Sequence, residues 1–276
     1  MKFIKHLYIG YASYWQAIRF IIKHNMWLYF IVPVILLVGI YFGGEYVFDE
    51  MVKNFDFSRV KDLDFSDLSE SDELYRLLFL SLEILAVFIA VKLGNYVVLN
   101  VLTPMLTMLS TKTDTLLTGN RFPITTRQYF QDIGRALRLQ FRNMLIFVGW
   151  IAVWYLISLV LLPFEDMLPV SKVVLNKIAI FLIGAYFFGF TLLDYTNERR
   201  RLTIAESIKF VRKHAGIAWA LGSVYSAFFF FPYVGVVVAP VLCVVAATLA
   251  TSKVVDLSKN PYAKPAKKKG VEKKEK

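Results

Sequence analysis

A single cysteine, Cys243, stands in 276 residues, and histidine occurs only three times. One cysteine excludes an internal disulfide and a thiolate metal cage. The histidines, His6, His24 and His214, lie far apart and make no HExxH or related metal-ligand spacing. No serine sits in a GxSxG elbow, and no glycine-rich loop is arranged to cradle phosphate. With no carboxylate dyad and no cofactor box either, the expectation is a protein that is not an enzyme and holds no metal or cofactor. Charge is also scarce, at 19% of residues against the usual quarter. No Asp, Glu, Lys or Arg occurs from 214 to 252, nor within 26–44, 93–111 or 143–164.

What fills those gaps is apolar. Hydrophobic residues make up 57% of the chain, and mean hydropathy is +0.53. A membrane span needs about 20 mostly apolar residues, and only helices or closed barrels satisfy the backbone in lipid. These runs are too continuous for barrel strands, which alternate. An all-α integral membrane protein follows, with one helical domain over 1–256. The lysine-rich, low-complexity tail 257–276 reads as disordered, and Cys243 as core filler. Residues 1–24 lack a small-residue cleavage site, so the first apolar run reads as an uncleaved span.

Along the chain, 1–24 predicts an amphipathic helix with Tyr8, Ala12, Trp15, Ile18 and Ile22 at helical spacing. Asn25 is placed to break it. The first span covers 26–48, with Pro33 inside it. The loop 49–76 holds nine acidic and four basic residues. A second span, 77–103, ends near Pro104. GNRFP at 119–123 predicts a turn, and 125–142 a basic amphipathic helix leading into the third run, 143–162. A short link follows, and the fourth run is 173–193. Thr203 and Glu206 have capping-box spacing, predicting a short helix over 204–213. The last block, 215–251, divides near Pro232 and Pro240 into two halves of about 17–18 residues. Gly184, Gly189 and Gly222 are small enough for close helix contacts.

Net charge is +11, yet the basic residues sit at the ends of the apolar runs, as topology rather than nucleic-acid binding requires. Loops 105–142 and 194–213 and both termini are basic, whereas 49–76 is acidic and 163–172 nearly neutral. Every apolar hairpin therefore starts and ends on the cytoplasmic side, with both termini inside. Two short spans or a re-entrant pair fit 215–251 equally, with Pro104, Pro232, Gly235 and Pro240 as candidate hinge or apex positions.

Lys92 lies near the middle of span two. A charge at that depth faces the protein interior or a polar path, or snorkels to a headgroup. Asn95 and Tyr96 share its helix face and complete an anion-contacting stripe. Arg199, Arg200 and Arg201 suit an anion or a lipid phosphate. The plainer reading is a topology anchor paired with Glu198 and Glu206. The lysine tail adds attraction to anionic lipid headgroups.

Four segments carry a family resemblance: YFIVPVILLV at 29–38, VLTPMLTMLSTKTDTLLTG at 101–119, LLDYTNERRRLTIAES at 192–207 and FPYVGVVVAPVLCVVAATLA at 231–250. In their order and spacing the chain resembles the sulfate-permease-like family of bacterial CysZ and the etoposide-induced proteins (the EI24 domain), over about residues 5–255. The resemblance implies sulfate transport in the bacterial inner membrane, dimers or higher oligomers, two true spans at 26–48 and 77–103, and partly penetrating hairpins at 143–193 and 215–251. The family's arginine pair before the first-span proline falls on Trp27 and Leu28, leaving Lys23 and His24 as the nearest positive groups. Its tyrosine-proline becomes Tyr195-Thr196, while Arg199 is kept. Lys92 would replace a lost positive group. Transport of a small oxyanion such as sulfate past Lys92, Asn95, Tyr96, Lys23, His24, Arg199 and Arg200 is the expected function. A non-transporting scaffold that binds lipid or partners through its basic face is the alternative.

Overall fold

The computed structural model describes residues 2–39, 42, 99–121, 126–160, 171–228, 230–259 and 264–265. Among these the chain is almost wholly helical. The helices are α1 (Lys2–Lys23), α2 (Met26–Gly39), α3 (99–118), α4 (Thr126–Val160), α5 (Lys172–Arg199), α6 (Ile204–Lys213), α7 (Ala215–Phe228) and α8 (Pro232–Ser252). Two strands of two residues each, β1 (Asn120–Arg121) and β2 (Lys264–Pro265), pair antiparallel.

Local signals account for most boundaries. Asn25 adopts a left-handed conformation, φ 54°, and α1 and α2 meet there at a bend of 116°. Asparagine tolerates that region because its short polar side chain bonds locally. Gly119 has φ +73° and its N–H returns to the Thr115 carbonyl at 2.9 Å, closing α3 with a left-handed glycine cap. Thr203 and Glu206 form the predicted capping box at the start of α6. Thr203→Ala should lower stability by about 1 kcal/mol, the usual loss for such a cap. Thermal unfolding in detergent would check it, and an unchanged midpoint would mean that α6 is held by its packing alone.

Among the described residues three helices are long and apolar enough to cross a membrane, over Phe130–Ser158, Val174–Arg199 and Val234–Ser252, and the bent α1–α2 pair makes a fourth if it is counted as one span. The protein is an integral membrane protein of helical class. α2 leaves Trp27, Leu28, Ile31 and Ile35 exposed, and α4 leaves Trp150 and Leu156 exposed, as lipid-facing surfaces do.

α7 is the hub, packing on α5, α1 and α8, with α4 laid along α5. Glycine sets the closest approach. A Cβ on Gly189 of α5 would fall on the Ala218 carbonyl, and one on Gly222 of α7 on the Ala185 carbonyl. A Cβ on Gly184 would first meet the Phe188 and Phe147 rings. Cys243 is fully buried, within 3.2 Å of the Tyr14 hydroxyl, which also donates to the Leu221 carbonyl at 2.6 Å.

The α1 face buried in protein is Gly10, Ser13, Tyr14, Ala17 and Ile21, while Tyr8, Trp15, Ile18 and Ile22 stay exposed, a face that suits a membrane interface. Several expectations need correction. Neither Pro104 nor Pro240 ends a helix: α3 runs through Pro104, and Pro240 lies inside α8. Neighbouring helices and side chains satisfy the backbone groups that proline frees in a membrane bundle. The last block divides at Pro232, the first residue of α8, into helices of 14 and 21 residues rather than equal halves. Gly235 is buried in the first turn of α8. The fourth run continues as helix to Arg199. Order also passes the 257 boundary, since Leu257–Lys259 form a 3-10 turn with Leu257 buried. Most of span two and the acidic loop 49–76 lie outside the described residues.

Candidate functional site

α3 has two buried stripes. Leu99, Leu102, Leu106 and Leu109 recur at helical spacing, and all are buried. Beside them Thr103, Thr107, Ser110 and Asp114 make a second, polar stripe, also buried. That polar stripe meets α5, α4 and α8 and seeds a network in the bundle core.

Its centre is Arg199, the last residue of α5. Its side chain is 3% exposed and that of Asp114 is 1% exposed. Arg199 Nε donates to Asp114 Oδ2 at 3.1 Å, and Nη1 donates to Ser110 Oγ and to the Tyr195 carbonyl at 3.0 Å. Ser110 Oγ is also 2.9 Å from Thr248 Oγ1, which ties α8 into the network. Thr107 Oγ1 donates to Glu198 Oε2 at 3.4 Å. Charges this deep are stable only when paired and hydrogen-bonded.

A second centre lies along the α4–α5 seam. Arg135 holds Asp194 with two bonds of 3.1 Å, and its Nε donates to the Leu202 carbonyl at 2.9 Å. Ser207 Oγ donates to Asp194 Oδ1 at 2.6 Å and accepts from Asn197 Nδ2 at 3.0 Å. Between the centres, Gln140 Nε2 donates to Thr103 Oγ1 at 2.9 Å and to the Tyr195 hydroxyl at 3.3 Å. Gln140 Oε1 and Asn143 Nδ2 of α4 and Thr196 Oγ1 of α5 are buried with no hydrogen-bond partner among the described residues. Such atoms are rare in a finished core and mark places where water or a ligand completes the bonding.

The predicted site residues separate. Arg199 is in the network, but as an interior ion pair with Asp114 rather than a surface anchor. Glu206 caps α6 with Thr203 instead of pairing with Arg199. Arg200 donates to Asn197 Oδ1 at 3.2 Å and covers the Phe210 ring at 4.9 Å. Exposed Lys23 and half-buried His24 sit at the α1–α2 corner, where the His24 ring stacks on Phe20 at 4.3 Å, apart from the network. Lys92, Asn95 and Tyr96 lie outside the described residues. Sequence reading missed Asp114, Arg135, Gln140, Asn143 and Asp194 as site residues. The available signal was the 3–4 residue spacing of Thr103, Thr107, Ser110 and Asp114 beside a leucine stripe. Among the described residues no group of three or more metal-ligating side chains forms.

Residues 13–240 match the family model described as sulfate transporter CysZ/Etoposide-induced protein 2.4. The chain belongs to that family. No curated protein matches it at a significant level.

Proposed function

We propose that this member of the CysZ/etoposide-induced-protein family carries a small oxyanion of the sulfate class across the bilayer, along the polar seam between α3, α4 and α5. The observation that carries the reading is the buried Arg199–Asp114 pair, together with the buried Asn143 Nδ2 donor of α4, which has no hydrogen-bond partner among the described residues. An intramembrane ion pair is expensive, and its usual role is a substrate or ion pathway. A tetrahedral oxyanion presents the same acceptor geometry to a guanidinium as a carboxylate does. It exchanges with Asp114 at Arg199 and with Asp194 at Arg135, each arginine being released to its own carboxylate as the anion moves on. The Asn143 amide on α4 adds a hydrogen-bond donor to the path. Lys92, Asn95 and Tyr96 extend the path from span two. The protein sits in a bacterial inner membrane with both termini cytoplasmic, as its basic loops favour, and works as a homo-oligomer built from dimers.

Asn143→Leu separates transport from folding. Asn143 Nδ2 is buried with no hydrogen-bond partner among the described residues, and Oδ1 accepts a 3.3 Å bond from the neighbouring Arg142, so an apolar replacement of similar shape should change thermal stability little. Flux of radiolabelled sulfate into proteoliposomes should fall about tenfold, the value of a lost hydrogen bond to a charged group. Absence of flux from well-folded wild type, across sulfate, selenate and phosphate, would move the protein to the scaffold reading.

A further inference from the structure

Two of the three histidines meet at a corner outside the transport seam. His6 comes from the second turn of α1, and His214 joins α6 to α7. Their ring centroids are 5.0 Å apart. Gly216 makes the approach possible: a Cβ there would lie 2.5 Å from the Phe3 carbonyl and 2.8 Å from His6 Cβ. The His214 Nδ1 is 2.9 Å from the Phe210 carbonyl, to which its N–H donates, leaving Nε2 for another partner. The Phe210 ring lies tilted against His214 at 4.4 Å and carries Arg200 at 4.9 Å. Arg200, Phe210, His214 and His6 thus form one continuous run of contacts.

Among the described residues, the charges bearing on the two imidazoles are positive. Lys2 and Lys5 bear on His6 from α1; Lys213 from α6 and Arg200 from the α5 end bear on His214. The only carboxylate on α6, Glu206, is occupied with Thr203 at the far end of that helix. Burial, together with Lys213 and Arg200, holds the His214 imidazole below its ordinary value of 6.5. Basic groups from three segments, with no carboxylate bearing on either imidazole among the described residues, repel one another unless an anion joins them. A tetrahedral oxyanion fits, because its several acceptor oxygens can take guanidinium, ammonium and imidazole donors together.

We infer that the corner formed by His6, His214, Arg200, Lys5 and Lys213 is a second oxyanion site, taking a phosphate- or sulfate-type group presented by a lipid headgroup or free in solution. It shares no residue with the Arg199–Asp114 network and does not depend on transport. Binding favours the charged imidazoles, so it tightens on acidification.

The test is a histidine side-chain NMR titration of the full chain in nanodiscs, with His24 as the internal reference. One arm adds inorganic sulfate to discs of phosphatidylcholine. The other replaces a quarter of that lipid with phosphatidylglycerol and adds no sulfate. An upward move of the His6 and His214 titrations, beyond that of His24, supports the site. The arm that produces it identifies a free anion or a headgroup. Lys5→Gln and Lys213→Gln, both at exposed positions, should each weaken the effect about fivefold. Unmoved titrations in both arms, an equal move of His24, or full effect in both lysine variants would overturn the inference.

Discussion

Gly189→Ala and Gly222→Ala should each destabilise the protein by about 3 kcal/mol, the upper end of overpacking costs. In both cases the new methyl meets backbone, the Ala218 carbonyl in one and the Ala185 carbonyl in the other. No flexible side chain is available to swing away, so α5 and α7 must separate along their contact. That contact is extensive, and α7 carries α1 and α8 on its other sides, so the strain spreads. In lipid, helices associate through close van der Waals packing of small residues rather than through hydrophobic burial. Separation therefore removes the main attraction itself. Gly134→Ala is the control. A Cβ at Gly134 in α4 meets nothing within 4 Å, so alanine there should stabilise by roughly 0.5–1 kcal/mol through backbone entropy. Unfolding midpoints in detergent for the three variants would decide. A Gly222→Ala protein as stable as wild type would mean that the α5–α7 approach is looser than its geometry.

The features legible in the sequence are those whose cause is local. Asn25 ends α1, the Thr203–Glu206 spacing starts α6, and Gly119 closes α3, because each acts within one turn of helix. Long charge-free runs announce membrane helices because the solvent is a local condition too. The α5–α7 contact was half visible: Gly189 and Gly222 stood out as small residues, but nothing in their order said that they face each other. Proline misled for a physical reason. Its penalty in a helix is the lost hydrogen bond and the clash it causes, and a membrane bundle meets that cost with neighbours that a sequence does not display. The network was hidden by distance along the chain. Arg199 and Asp114 are 85 residues apart, and Arg135 and Asp194 are 59 apart. Read singly, Arg199 in a run of arginines at the end of an apolar segment has the signature of a surface anchor, and only its partner shows otherwise.

Removing Arg199 alone should cost about 3–5 kcal/mol, because Arg199→Ala leaves the Asp114 carboxylate buried without its cation. Asp114 is 1% exposed at its side chain, so water cannot replace what the guanidinium supplied. Asp114→Ala should cost a similar amount by stranding the guanidinium instead. These losses by themselves say nothing about transport, since a purely structural pair would give the same numbers. The double replacement Arg199→Met with Asp114→Leu removes both charges together and fills the space with apolar volume. Buried pairs exchanged in this way are often neutral or stabilising, so its melting temperature should return close to wild type. If the pair is structural, sulfate flux returns with the fold. If Arg199 is a station on the anion path, stability returns and flux does not, remaining at least about tenfold below wild type, as expected for a lost charge-assisted contact. Full flux from the stable double variant would remove Arg199 from the path and leave the Arg135 centre to carry the anion alone.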